Sequence, residues 1–195
     1  HPAYFGGGFE SATSAFGSLP GLVESFRSGI GLTYDDHGPG CASGIERMTR
    51  FFNEFLLVPK ILPLLDDVVD KLRGGGSVAD VGCGGGVATL AMATAFPDAT
   101  VIGYDISNHA LERARHRLSH LDLPNVRFVN PLEEPMPEAP TFDLITTFDV
   151  IHDAPRPQPL LESIHRALKD DGTFLCEDIR SFPTFQENLQ QHPMA

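Results

Sequence analysis

A short glycine-rich stretch, flanked by two carboxylates, contains the residue types best suited to chemistry in this chain. Gly82, Gly84 and Gly86 follow an apolar run that ends at Asp80, and the next apolar run ends at Asp105. Glycines let a ligand approach the backbone closely, and the helix expected after them offers unpaired N–H groups at its start. A carboxylate 19 residues past Gly86 is placed to accept both hydroxyls of a ribose. The pattern therefore predicts a site for an adenosine-type cofactor.

The glycine spacing and the first carboxylate separate two classes of cofactor. A dinucleotide site has the pattern G-x-G-x-x-G, and that register would place Val87 where a third small residue belongs. The chain has G-x-G-x-G instead, with Asp80 two residues before it. An ionised carboxylate is a poor neighbour for a pyrophosphate and a good one for an ammonium group. S-adenosylmethionine (SAM), which carries an ammonium group and a sulfonium, is therefore favoured over NAD.

Alternating strands and helices should position these residues. Apolar and amphipathic runs predict strands at 78–81, 100–104, 126–129, 142–148 and 173–178, and helices at 87–96, 107–121 and 158–168. Short joins between such elements predict a doubly wound α/β fold with a mostly parallel sheet and right-handed crossovers. In such a fold the ligand lies at the carboxyl ends of the strands.

The N-terminal part of the chain is expected to form a helical cap. Helices are predicted at 19–26, 43–57 and 61–72, and the rest of residues 1–44, rich in Gly, Ser and Phe, is expected to be loop. This segment is either a lid over the cofactor, with Tyr34 or His37 near the site, or a linker from a preceding domain. We therefore divide the chain into a cap, residues 1–73, and a SAM-binding domain, residues 74–195, expected to be incomplete at its C-terminus.

Composition argues against several classes of protein. The 195 residues are 42% hydrophobic, which allows one domain with a core, and no run approaches the ~20 apolar residues of a membrane helix. The net charge of −12 disfavours nucleic-acid binding, and the basic cluster at 113–117 is expected to be a solvated helix face. Three isolated cysteines and the lack of a secretory signal predict a cytoplasmic protein without a disulfide framework.

Four landmarks in sequence order resemble those of class I SAM-dependent methyltransferases. They are the glycine stretch at 80–86, the strand ending at Asp105, the run at 142–149 and the turn at 168–174. The resemblance implies a Rossmann-like fold, SAM as cofactor, and methyl transfer to a small organic acceptor, with oxygen slightly preferred over nitrogen or carbon. Bacterial methyltransferases with an N-terminal winged-helix-like dimerisation domain are also similar, which implies that a homodimer is possible.

The resemblance also implies which residues hold SAM. Asp105 takes the ribose hydroxyls, Ile106 lies on the adenine face, and the backbone at Phe148 or Asp149 meets the ammonium group. The methionine part is held by the stretch that begins at Asp80, namely Asp80, Gly82, Cys83, Gly84 and Gly86.

One position departs from the pattern of the family. Such proteins usually have an acidic residue after the third strand, whose carboxylate meets the adenine amino group, and this chain has Leu132 there. Either Asn130 or Glu133 replaces it, or apolar contacts and the backbone alone hold the adenine.

A hydroxyl acceptor would need a base, and His152 follows the fourth strand, where the acceptor should lie. Imidazole is suited to proton transfer at neutral pH, and the neighbouring Asp153 is placed to orient the ring. The run 151–153 resembles the histidine-aspartate pair that acts as base in some small-molecule O-methyltransferases. The alternative is that His152 only caps the turn after the strand and holds loops together.

Two further functions stay open, and no metal site is expected. His116 and His120 are four residues apart on a predicted helix, but no third ligand lies near them in sequence. The chain is alternatively a SAM-binding regulator whose N-terminal domain binds DNA or dimerises. An NAD-dependent oxidoreductase is the second alternative, disfavoured by Asp80 and Val87.

Overall fold

A five-stranded parallel sheet forms the centre of the computed structural model, which describes residues 6–191. Its strands are β1 (Ser77–Val81), β2 (Thr100–Tyr104), β3 (Val126–Val129), β4 (Phe142–Phe148) and β5 (Leu168–Glu177). They lie in the order β3-β2-β1-β4-β5, and every neighbouring pair is parallel. The strand order reverses at β1, so a crevice opens at its carboxyl end. The predicted doubly wound α/β fold is confirmed.

Helices cover both faces of the sheet and form the N-terminal cap. They are α1 (Gly6–Gly17), α2 (Leu19–Ser28), α3 (Pro39–Phe55), α4 (Val68–Arg73), α5 (Val87–Ala95), α6 (Asn108–Leu118), α7 (Pro157–Ala167) and α8 (Phe185–Gln191). Alternate residues of a strand face opposite layers, so Val78 and Leu144 are buried with α5 and α6, whereas Ile145 is buried with α7. Within residues 6–191, no helix combines the length and the apolar character required to span a bilayer.

Residues 6–17 form a helix where the sequence predicted a loop. A Cβ atom on Gly7 would lie 2.2 Å from the carbonyl oxygen of Gly44 on α3, and one on Gly44 would lie 2.5 Å from that of Gly7. Each glycine lowers local helix propensity by about 1 kcal/mol, which is why the segment resembles a loop. These glycines instead allow α1 and α3 to touch, and that packing outweighs propensity.

The prediction of one continuous helix at 61–72 is also wrong. The chain passes through short turns, Leu57–Ile61 and Leu62–Leu64, and α4 begins only after Asp67, whose φ is 59°. Pro59 and Pro63 lack backbone donors, so they interrupt a regular helix. The apolar pattern itself was informative, because Leu62 and Leu72 are fully buried.

The fifth strand starts earlier than the predicted 173–178 and contains a bulge. Its register after the bulge places the end of β5 beside the end of β4. Leu168 pairs with Phe142, and after an irregularity Thr173 pairs with Leu144, so the intervening residues loop out. From there the register is regular, and Glu177 lies opposite Phe148. The residues that follow β4 and β5 therefore lie side by side at the crevice.

Candidate functional site

The glycine loop, defined as residues 82–86, joins the carboxyl end of β1 to the start of α5. Gly82, Gly84 and Gly86 have φ values of 75°, 54° and 76°, a region that glycine adopts readily. A Cβ atom on Gly84 would meet nothing within 4 Å, whereas one on Gly82 would lie 2.3 Å from Val150 and one on Gly86 would lie 2.6 Å from Phe128. Gly84 therefore faces open space, where a ligand can approach the backbone, and the other two glycines are needed for packing.

Asp105 lies directly beside the open part of this loop. One of its carboxylate oxygens accepts the N–H of Gly84 at 2.7 Å, and the other accepts the N–H of Ser107 at 2.8 Å. Burial raises the pKa of Asp105, and these N–H groups oppose the rise. Because each oxygen has a further lone pair, the carboxylate can also accept hydroxyls of a ligand at Gly84.

Asp80 is turned away from the open space. Its side chain accepts the hydroxyl of Thr89 on α5 at 2.6 Å and that of Thr146 on β4 at 2.8 Å, and the residue is 1% exposed. Burial raises its pKa to about 6, against the effect of both hydroxyls. The structure thus gives Asp80 protein partners that tie the end of β1, just before the glycine loop, to α5 and β4. Its direct contact with the methionine part stays a prediction.

The residues predicted around the adenine follow β2 and β3, beside the N-terminal end of α6. Ile106 follows Asp105 and is 52% exposed, so its side chain is available to a flat ring. Asn130 is buried, and its amide contacts Asn108 at 3.4 Å and accepts the N–H of Leu132 at 3.0 Å. Leu132 itself is 81% exposed. Of the candidates for the missing acidic residue, Asn130 is therefore the buried one at this edge.

The remaining predicted cofactor residues lie at the base of the loop and at the end of β4. Cys83 is buried, and burial raises the pKa of its thiol. The ring of Phe148 meets that of Phe52 on α3 edge-to-face, with centroids 5.8 Å apart. Asp149 has a φ of 54°, a strained conformation for a residue other than glycine, and its N–H donates to the carbonyl of Glu177. Burial raises the pKa of Asp149.

His152 is held by Asp178 and not by Asp153, its predicted partner. Its Nδ1 lies 2.5 Å from Asp178 Oδ1, whereas its Nε2 lies 3.4 Å from the predicted partner, Asp153. Burial acts to raise the pKa of Asp178, but the N–H of Ile179 and the His152 ring outweigh it, so the net shift is downward. The available signal was the position of Asp178 at the end of the predicted fifth strand, next to the fourth.

Asp149, His152 and Asp178 also form a compact group. Within residues 6–191, one ligand-type atom from each lies within 4.8 Å of the others. Such a spacing is compatible with a metal ion, although acidic side chains often gather without one. The expectation of no metal site stays a prediction. His116 and His120 do not belong to this group, and their rings lie 4.8 Å apart on α6.

An N-terminal strap, defined as residues 33–37, joins the loops on the two sides of the glycine loop. The hydroxyl of Tyr34 donates to Asp153 after β4 at 2.8 Å. Asp35 accepts the hydroxyl of Ser107 at 2.6 Å and the N–H of Asn108 at 3.0 Å, at the start of α6 after β2. Tyr34 was expected near the site, but no pattern in the sequence indicated Asp35.

The chain is similar in sequence to known proteins. A family profile described as a methyltransferase domain matches residues 72–194. The chain is similar to the demethylmenaquinone methyltransferase of Symbiobacterium thermophilum, with 36% identity over 108 residues, covering 53% of this chain and 43% of that protein. It is also similar to the ubiquinone biosynthesis O-methyltransferase of Actinobacillus pleuropneumoniae, with 34% identity over 122 residues, covering 59% and 51%.

The fold has a counterpart among solved structures. A SAM-dependent methyltransferase from Aquifex aeolicus matches with a TM-score of 0.54 and 21% identity, covering 76% of this chain and 79% of that one. The matches to the two named relatives span about half the length of each.

Proposed function

Because the chain belongs to the class I SAM-dependent methyltransferase family, we propose that it transfers a methyl group from SAM to a small organic acceptor. Oxygen is the preferred accepting atom, since one similar protein is named as an O-methyltransferase. The relatives named above act on quinones or in quinone biosynthesis by their names, which supports small aromatic hydroxyl compounds as the first acceptors to test.

The residues around the glycine loop fit SAM. Gly84 leaves open space above its backbone, and Asp105 is anchored to the same residue with lone pairs to spare. Asp105 would hold the ribose hydroxyls, Ile106 and Asn130 would lie beside the adenine, and the backbone at 148–149 would meet the ammonium group. When bound, SAM supplies a methyl group on a positively charged sulfur.

The single observation that supports the chemistry is the contact between His152 and Asp178 at the crevice. With Nδ1 held by Asp178, the favoured tautomer keeps its proton there and leaves Nε2 as the proton acceptor. We assign His152 as the base that takes the proton of the acceptor hydroxyl at Nε2. The protein otherwise acts by positioning the two reactants and excluding water.

A methyl-transfer assay tests this function. The chain would be incubated with SAM labelled at the methyl carbon and a panel of phenols and hydroxyquinones. We expect a labelled product and S-adenosylhomocysteine (SAH) in equal amounts, and a His152→Ala variant that binds SAM but is at least about 100-fold slower. Wild-type turnover by that variant would remove His152 from catalysis.

Binding measurements together with this assay separate the alternatives. A regulator would bind SAM in a calorimetric titration without consuming it in the presence of any acceptor, and an oxidoreductase would bind NAD.

A cytoplasmic homodimer formed through a winged-helix-like domain is a finer proposal, which rests on the resemblance described above. Light scattering on the full-length protein tests the dimer, because a monomeric mass would contradict it.

A further inference from the structure

Glu46, on α3, is a buried carboxylate that the proposed chemistry does not use. It is 5% exposed, and its Oε2 accepts hydrogen bonds from Nε and an NH2 nitrogen of Arg113 at 3.2 and 3.0 Å. Its other oxygen, Oε1, accepts from Arg117. Both arginines lie on α6, the helix that follows Asp105. A buried carboxylate persists only with such partners, so these contacts fix the position of Glu46 relative to α6.

The same carboxylate lies against the glycine loop. A Cβ atom on Gly85 would lie 2.2 Å from Glu46 Oε2 and 2.9 Å from its Cδ. Gly82, Gly84 and Gly86 have positive φ, but Gly85 does not, so its backbone would accept a side chain. A side chain at position 85 would therefore collide first with Glu46. This contact explains why position 85, which the G-x-G-x-G pattern leaves free, is also glycine.

We propose that Glu46 is a positioning residue for the cofactor and sets the affinity for SAM and SAH through the glycine loop. The loop has no side chain of its own at four of its five positions, so neighbouring groups must hold its backbone. Glu46 braces it at Gly85, and Asp105 holds it at Gly84. Because α6 begins beside Asp105 and carries both arginines, one ion cluster fixes the loop and the carboxylate relative to each other.

The inference rests on the proposed placement of the cofactor at this loop. A displacement of about 1 Å, even one caused by a change far from the chemistry, is enough to reduce a catalytic rate by up to about 100-fold, and the loop backbone that would contact the cofactor is what Glu46 holds in place. Loss of the brace should therefore appear as weaker binding of SAH, in addition to any loss of stability. Arg113 and Arg117 have side chains 36% and 24% exposed, so both can turn to solvent when Glu46 is shortened.

A double-mutant cycle tests the inference by calorimetric titration with SAH. The variants are Glu46→Ala, Gly85→Ala and the double variant, with Glu54→Ala as control on the exposed face of the same helix. We expect each of the first two changes to raise the Kd for SAH about tenfold, and Glu54→Ala to leave it unchanged. In the double variant the new methyl group occupies space that Glu46 has vacated, so its Kd should match that of Glu46→Ala within about twofold.

Thermal unfolding of the same variants separates positioning from stability. If Glu46→Ala lowers the Tm but binds SAH as tightly as the wild type, or if the two losses simply add, the inference is wrong. Should Glu46→Ala fail to fold, Glu46→Asp draws the side chain back from Gly85 while keeping a charge to pair with the arginines, and wild-type affinity in that variant would equally overturn the inference. A wild-type protein that does not bind SAH would overturn the cofactor placement, and this inference with it.

Discussion

Asp80, near the end of β1, and Asp105, directly after β2, lie on neighbouring strands and yet have opposite surroundings. Asp105 accepts backbone N–H groups beside an open loop, whereas Asp80 accepts two hydroxyls inside the protein. The sequence could predict that both lie at the carboxyl edge of the sheet, because strand ends meet there. It could not predict the direction of Asp80, because Thr89 and Thr146, which decide it, lie on two other elements.

The burial of Asp80 leads to a prediction about pH. Its pKa is raised from 3.8 to about 6 by burial, so the protonated form favours the folded state below about pH 4, and this stabilisation is lost as pH rises through about 6. The unfolding free energy of the wild type should therefore fall relative to Asp80→Asn, by at most about 3 kcal/mol between about pH 4 and pH 7. Urea denaturation of both proteins measures the difference. If the difference in unfolding free energy between the two proteins does not change with pH, the pKa of Asp80 is not raised in the folded state.

The partner of His152 gives a second prediction at this scale. Asp178→Asn removes the charge that holds Nδ1, so we expect kcat to fall at least about tenfold with the KM for SAM within about twofold. Asp153→Asn is the comparison, because the Asp153 carboxylate lies 3.4 Å from Nε2 and does not hold Nδ1. Steady-state kinetics with one acceptor compare the two. A larger loss in Asp153→Asn would return the orienting role to Asp153.

At the scale of elements, local sequence patterns predict a helix or strand correctly where the spacing of its own apolar residues determines it. The first four strands and the helices after β1 and β2 lie close to their predicted positions, because apolar runs and helical spacing act within about ten residues. The cap was harder to predict. The glycines of α1 lower helix propensity, and packing against α3, closest where Gly7 meets Gly44, opposes that effect. The proline-containing turns after α3 likewise share a helical pattern without forming one helix.

The close crossing of α1 and α3 is testable through Gly44. A Cβ atom there would lie 2.5 Å from the carbonyl oxygen of Gly7 and 2.7 Å from the N–H nitrogen of Ser11, so Gly44→Ala should destabilise the chain by about 1–3 kcal/mol. Gly17→Ala, at the end of α1, meets nothing within 4 Å and should be neutral or slightly stabilising. Chemical denaturation measures both. Equal effects would mean that the helices do not touch at Gly44.

At the scale of the whole molecule, the sheet was predictable and the enclosure of the site was not. Alternating strands and helices with right-handed crossovers leave few possible sheet orders, and the observed order places the crevice at β1. The cap reaches the crevice through contacts between residues far apart in sequence: Asp35 with Ser107, separated by 72 residues, and Glu46 with Arg113, separated by 67. No local pattern indicates such contacts, so the roles of Asp35 and Glu46 become visible only in the folded structure.

The central claim is that the crevice at the glycine loop holds SAM. A crystal structure of the chain grown with SAH tests it most directly. We predict that the ribose hydroxyls contact Asp105, that the backbone of Gly84 lies against the ligand, and that His152 faces the sulfur across the remaining space. Density for SAH elsewhere on the protein, or an empty crevice at saturating SAH, would contradict the account.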